Sequence, residues 1–215
     1  WDKRLELVIL THPHADHLNG LISVAKNYEI VQFATEKLKN KTQGFLYLMD
    51  LIKKQSINIR YIYAGDKFRF KDGLVLEIVG PTKEFLQLTS PQGFIGESGE
   101  FASVETLVKY KNFLALLTGD SQASELKEAI QSFDSAWDIA ILQVPHHGSK
   151  TGLNSEVLDI LMPKLAVISV GAKNKYNHPN PLILQLLKDK GIKTLRTDKN
   201  GEVEVTSDGN VWKAE

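Results

Sequence analysis

Four apolar runs in this chain each end close to a histidine or an aspartate, and that recurrence constrains the fold more than any other feature. Leu7 to Leu10 leads through Thr11 into His12-Pro13-His14-Ala15-Asp16-His17, and Leu114 to Leu117 leads through Thr118 and Gly119 to Asp120. Ile139 to Val144 leads to Pro145-His146-His147-Gly148, and Leu165 to Val170 leads through Asn174 and Tyr176 to His178. Short runs rich in Val, Ile and Leu, closed by Gly, Pro or polar residues, read as buried strands. Open sheets place their sites in loops at strand ends. The pattern therefore predicts a layered α/β architecture that gathers ligand-type side chains at a sheet edge.

The first of these loops is the densest. Three imidazoles and a carboxylate within six positions suit borderline cations such as zinc or manganese. Alternate residues of an extended stretch point the same way, so His12 and His14 can grip one ion. Asp16 and His17, at the start of the following helix, can then face a second. A lone surface histidine is ordinarily structural, but four ligand types packed this closely are not a bland surface feature. Asp120 precedes an amphipathic helix and taken alone reads as its cap. Ser121 is an equally good cap, which frees the carboxylate for a metal. The chain has no cysteine, so disulfides and thiol nucleophiles are excluded and any ligand bridging two metals has to be a carboxylate. Asp120 is the natural bridge.

At 215 residues the chain is long enough for one α/β domain, and 1–215 is read as a single unit without internal repeat or low-complexity linker. The 26 basic and 26 acidic residues balance, which argues against holding nucleic acid by bulk charge; any polyanion contact has to be local. Lys37, Lys39, Lys41, Lys53 and Lys54 form one cluster that reads as a solvated face, while Lys150, Lys173 and Lys175 flank the histidine motifs. No apolar run reaches the roughly 18 residues needed to span a bilayer. Membrane helices, if the full protein has them, lie outside this segment, and its compartment stays open.

Periodicity places helices at 18–28, 42–55, 122–133 and 155–162, the second with Phe45, Leu48, Met49 and Ile52 on one face, the third with Leu126, Ala129, Ile130 and Phe133 inward. A further helix has Asn180 as cap, Pro181 in its first turn and Gly191 at its end. Strands are expected at 31–35, 57–63, 67–70, 74–79, 106–111, 113–118, 193–197 and 202–207, with a hairpin over Lys71-Asp72-Gly73 and another over Lys111-Asn112. Pro81 to Gly99 reads as one long irregular stretch able to overhang the site.

These motifs together resemble the metallo-β-lactamase-fold hydrolases, and within them the soluble hydrolase domain of the ComEC-type competence proteins, which take up DNA. The resemblance runs from Leu7 to about Asp208. It rests on Thr11 to Gly20 (THPHADHLNG), Leu117 to Asp120 (LTGD), Val144 to Thr151 (VPHHGSKT), Pro163 to Gly171 (PKLAVISVG), Tyr176 to Pro179 (YNHP) and Arg196 to Gly201 (RTDKNG). It implies a helix-sheet-sheet-helix sandwich. Relatives carry several strands before the first loop, whereas only eleven residues precede His12 here, and Trp1 stands in first place; the chain is expected to lack part of the amino-terminal sheet. Many relatives place a further histidine, and the ComEC-type proteins an asparagine, in the stretch that here reads Glu97 to Val104. This chain offers Glu97, Ser98, Glu100 and Ser103, with Glu100 either a substitute oxygen ligand or part of a solvated loop.

Two divalent cations are implied. His12 and His14 hold one; Asp16, His17 and one of His146 or His147 hold the other, with His146 preferred and His147 behind it or facing substrate. Asp120 bridges. Asp16, Asp120 and His178 are the catalytic set, His178 donating a proton to a leaving oxygen or bonding a phosphate, and Ser149, Lys150 and Thr151 offer donors to the same anion. Phosphodiester hydrolysis of nucleic acid or another diester is the favoured activity. Hydrolysis of a lactam, thioester or lactone, and a metal-stabilised binding module without turnover, are the alternatives left open.

Overall fold

The computed structural model describes residues 3–95, 99–131 and 138–215. Its amino-terminal part contains β1 (Arg4–Leu5), β2 (Val8–Ile9), α1 (Ala15–Asn27), β3 (Glu29–Ile30), β4 (Gln32–Thr35), α2 (Gln43–Lys54) and β5 (Asn58–Tyr61). Strands β2, β4 and β5 form a parallel sheet in the order β2-β4-β5, and β1 pairs with β3 just before it. Side-chain alternation along β4 splits its residues between two environments. Phe33 packs with Val8, Leu10, Leu18, Phe45, Leu48 and Ile52 under α1 and α2, whereas its neighbour Ala34 faces the opposite way.

A second, seven-stranded sheet follows. It comprises β6 (Lys67–Arg69), β7 (Val75–Gly80), β8 (Glu105–Tyr110), β9 (Phe113–Leu117), β10 (Ile141–Gln143), β11 (Leu165–Ile168) and β12 (Lys193–Arg196), in the order β12-β11-β10-β9-β8-β7-β6. Strands β9 to β12 run parallel, and β6 to β9 are antiparallel neighbours. One face of this sheet, through Leu116, Leu142 and Ile168, packs against α4 (Ala123–Gln131), α5 (Ser155–Leu161) and α6 (Pro181–Asp189). The other face meets the first sheet through Phe68, Ile78 and Val104 against Ala34 and Ile9. Beyond that contact, Ala115, Ile141 and Leu165 are covered by Val205, Trp212 and Ala214 of the hairpin β13 (Val205–Ser207) and β14 (Trp212–Ala214). The layers are therefore helix, sheet, sheet, helix, as the resemblance implies.

Three differences from the sequence reading have identifiable causes. Helix α1 begins at Ala15, not Leu18, because its first turn is filled by Asp16 and His17, which carry no apolar periodicity; His17 N and Leu18 N already donate to His14 O. The stretch from Pro81, expected to be irregular, contains α3 (Lys83–Thr89), started by Thr82, whose Oγ1 accepts from Phe85 N at 3.0 Å. Ser121 does not cap α4. Its hydroxyl donates to Glu105 Oε1 and Thr118 O, and the helix opens instead with Ala123 N bonded to Thr151 O. The expected inward Phe133, like Trp1, Glu97 and Ser98, lies outside the described residues. Asn180 Oδ1 caps α6 as its sequence foretells, accepting from Leu182 N. Among the described residues no helix is long and apolar enough to cross a membrane.

Two of the carboxyls buried among the described residues are held neutral. Glu36, just past β4, and Glu105, at the start of β8, are both pushed up to about 8 by burial, opposed only in part by the hydroxyls of Thr35 and Ser121. Each is therefore neutral over most of the physiological range. The unfolded chain ionises first, near pH 4.5, so stability from these neutral forms is complete below that value and is lost as pH rises through about 8. Glu105→Gln, which keeps the acceptor for Ser121, is expected to flatten the fall in unfolding free energy between those limits, read by urea denaturation at a series of pH values.

Candidate metal centre

Four loops deliver the polar residues of the site. The loop after β2 carries His12 and His14 and runs into the first turn of α1, which carries Asp16 and His17; the loop after β9 carries Asp120; the one after β10 carries His146 and His147; the one after β11 carries His178. The two sheets thus contribute from both sides of the sandwich. Their junction is fixed by Val104 N bonded to Thr11 O and by Ser103, whose Oγ accepts from Asp120 N at 2.9 Å and lies 3.3 Å from His12 Nδ1.

Asp120 is the pivot. Its side chain is 4% exposed, and its two oxygens divide the imidazoles between them. Oδ1 lies 3.2 Å from His17 Nε2 and 3.7 Å from His147 Nε2. Oδ2 lies 3.8 Å from both His12 Nε2 and His146 Nε2. His14 stands edge-on to His12 with ring centroids 4.6 Å apart, and His12 and His17 are 4.2 Å apart. Asp16, His17, Asp120 and His147 present ligand atoms all within 4.8 Å of one another. His147, not the preferred His146, completes that set; His146 faces the other oxygen of Asp120, on the His12 side.

That both adjacent histidines reach one carboxylate follows from the backbone. In an extended strand consecutive side chains diverge. Here His146 and His147 sit in a tight turn with φ of 50° and 55°, left-handed values that cost on the order of 1–3 kcal/mol each for non-glycine residues. Gly148 continues the turn at φ 80°, where an added Cβ would lie 2.6 Å from Pro179 Cβ. Its carbonyl accepts from Asn180 N, which ties this turn to the His178 loop.

The free ring nitrogens are poised toward the centre. His147 Nδ1 donates to Ser169 O at 2.7 Å, leaving Nε2 on the Asp16 side. Thr11 Oγ1 lies 3.2 Å from His12 Nδ1 and 3.3 Å from His17 Nδ1. One hydroxyl oxygen can accept from both Nδ1–H groups, the tautomer that leaves each Nε2 lone pair inward. His12 Nε2, His14 Nε2, His17 Nε2, His147 Nε2 and Asp120 Oδ1 are buried without a hydrogen-bond partner. Buried polar atoms are normally paired, and five converging orphans fit a cation rather than a packed core.

Electrostatics follow the same division. Burial, helped by His17, pulls His12 down to about 3, so it is a neutral imidazole. Contact with Asp16 raises His147 to about 9 against burial, and the same contact holds Asp16 far below the carboxylate range. Burial would raise Asp120, but His17, His147 and His12 override it and leave the carboxyl below its usual value. His178 is lowered by burial and by the neighbouring His146 and His147.

These groups open into a cleft of about 1060 Å³ lined by His14, Asp16, Asp120, His146, His147 and His178, with Glu100 on its wall. His178 is 5.7 Å from His146, ring centroid to ring centroid, and its backbone is clamped on both sides by Asn174. Ser149, Lys150 and Thr151 do not line the cleft; the Ser149 and Thr151 hydroxyls lie 3.3 Å from each other within their turn. Glu100 stands outside the compact four-residue set. Sequence reasoning gave Thr11 no role and named Ser103 only among the residues offered between Glu97 and Val104; the hydroxyl oxygens of both contact the imidazoles from behind. The positions of Thr11, directly before His12, and of Ser103, where relatives carry a ligand, were the signals.

Thr11 is a positioning residue. Thr11→Ala is expected to weaken divalent-cation affinity about 10- to 100-fold, as for other supporting shells, with Thr11→Ser restoring most of it, measured by competition with a chelating dye.

The chain is similar to known proteins over most of its length. A family model described as the metallo-beta-lactamase superfamily matches residues 2–172. ComE operon protein 3 of Bacillus subtilis (strain 168) is 28% identical over 202 residues, covering 94% of this chain and 24% of that protein. Recombination protein 2 of Haemophilus influenzae is 26% identical over 201 residues, covering 94% of this chain and 22% of that protein. The chain thus spans about a quarter of the length of these relatives. Among solved structures, CmlA, a diiron β-hydroxylase from Streptomyces venezuelae, superposes with a TM-score of 0.58 at 13% identity, covering 91% of this chain and 44% of that one. Igni18, a metallo hydrolase from Ignicoccus hospitalis, gives 0.51 at 14% identity, covering 98% and 79%. With a family model matched over more than half its length and the fold shared, the chain belongs to the metallo-beta-lactamase superfamily.

Proposed function

We propose that this chain is a metal-dependent phosphodiesterase acting on nucleic acid, with a dinuclear centre of zinc or manganese. The observation that carries the reading is the division of Asp120, one oxygen toward His12 and His146 and the other toward His17 and His147. Under this reading His12, His14 and His146 serve one cation, Asp16, His17 and His147 the other, and Asp120 both. Paired divalent cations supply hydroxide at neutral pH and Lewis acidity toward a phosphoryl oxygen. The chain's own part is to hold the ligands, exclude water behind His12, and place His178 at the cleft side of the centre. His178, lowered from its ordinary value by burial and by His146 and His147, stands where its ring can hydrogen-bond a bound diester or its leaving oxygen. Nucleic acid is favoured over other diesters because the relatives include proteins named for competence and recombination.

Protein reconstituted with Mn²⁺ or Zn²⁺ is expected to retain two cations per chain by elemental analysis and to cleave DNA in a chelator-sensitive manner, activity that Asp120→Ala abolishes. Absence of bound transition metal, or turnover of a lactam or thioester without any diester, overturns the reading. His178→Ala is expected to keep its metal and lose about 10²-fold in diester turnover, the size of one acid or oxyanion donor. Metal loss in proportion to activity would make His178 a ligand instead.

A further inference from the structure

The cleft has two aromatic side chains that its chemistry does not use. Phe94 is 44% and Tyr176 69% exposed, and both line the cleft that holds the centre. Asn40, Lys41, Thr42 and Phe94 line it from the segments before α2 and after α3, and Tyr176 and His178 from the loop after β11, with Asp16, Asp120 and His147 in the same lining. Isolated exposed aromatics are ordinary. A pair in the lining of the one cleft that holds these ligand-type residues, each on a pinned backbone, is not. Gly93 O accepts from Lys39 N, Ile95 N donates to Lys39 O, and the buried Asn40 donates from Nδ2 to Ile95 O, so Phe94 is strapped to the neighbouring loop. Tyr176 is held through Asn174, which donates to Gly171 O and His178 O and accepts from His178 N. Tyr176 stacks on the His178 ring at 6.0 Å and an interplanar angle of 21°, which leaves its other face to solvent. Lys41 Nζ lies 5.1 Å over the Phe94 ring and supplies a cation beside that platform.

Resting on the phosphodiesterase reading, we propose that Phe94 and Tyr176 are base-stacking platforms that grip the unpaired nucleotides on either side of the scissile diester, with Lys41 meeting a flanking phosphate. Every base offers a π face, so such platforms hold a strand without reading its sequence. They act only on unpaired bases, because a duplex keeps those faces inside its own stack. In a chain of zero net charge this is also the local grip that bulk electrostatics cannot supply.

The test compares wild type with Phe94→Ala, Tyr176→Ala and Tyr176→Phe. Fluorescence anisotropy follows binding of a labelled thymidine oligonucleotide of about 12 nucleotides, within the span of known single-strand sites, alone and annealed to its complement. Turnover of that oligonucleotide is compared with turnover of bis(p-nitrophenyl) phosphate. Each alanine is expected to weaken single-strand binding about tenfold and to lower the oligonucleotide-to-small-diester ratio of kcat/KM by a similar factor. Tyr176→Phe is expected to keep both. Single-strand binding indifferent to both alanines, duplex bound as tightly as single strand, or small-diester turnover falling in step with the oligonucleotide overturns the platforms. A wild type that cleaves neither substrate but whose alanine variants still lose strand affinity overturns the diesterase reading and supports the platforms.

Discussion

A nearly dry carboxylate set among imidazoles is the constraint around which this molecule is arranged. Asp120 is 4% exposed, and burial alone would favour its neutral form. It stays ionisable because His17, His147 and His12 surround it. None of those rings lies near Asp120 in sequence: one sheet sends His12 and His17, the other His147. The stacking of the two sheets is therefore a condition for the charge balance, and the charge balance is the condition for leaving a carboxylate at the end of β9. Breaking either side would leave a buried charge without its partners, a far costlier state than losing an apolar contact.

Two hydroxyls make that junction rigid. Ser103 receives the Asp120 amide and touches His12, while the carbonyl of Thr11 receives the Val104 amide and its hydroxyl touches His12 and His17. The two sheets are thus stitched within two residues of the ligands they deliver. Gly119 fits the same close approach, since an added Cβ there would lie 2.3 Å from Ser103 Oγ. Geometry at the centre is set by backbone held between layers, which is why loops can carry it.

The sequence made the strand ends legible because ligand residues following apolar runs are a local pattern. His14, Asp16, Asp120, His146, His147 and His178 line one cleft, and His12 and His17 pack against Asp120 behind it. What depended on backbone twist was not legible. The alternation rule permits only one of two adjacent histidines to face a given point, and the left-handed turn at His146 and His147 defeats it. Ser121 matches a helix cap in sequence, yet the buried Glu105 on the neighbouring strand takes its hydroxyl. Helix α3 hid between Pro81 and Pro91 because only seven residues are helical and only Leu86 is buried. For Ser121 a partner on a neighbouring strand overrode a local preference, the kind of information no single window of sequence contains, whereas α3 rests on its local Thr82 cap.

Depth divides the histidines of this centre. His12 is fully buried and backed by Thr11 and Ser103. His14 and His146 on its side of Asp120, and Asp16 and His147 on the other, reach the cleft, with the Asp16 side chain 59% exposed and His178 next to His146. Both sides of Asp120 therefore face the cleft, with His12 behind them. The loop after β11, which carries Tyr176 and His178, is anchored through Asn174 and through the Asn180 contact to Gly148, not through the buried histidines. That loop therefore shapes the cleft wall without sharing the hydrogen bonds that back His12 and His17.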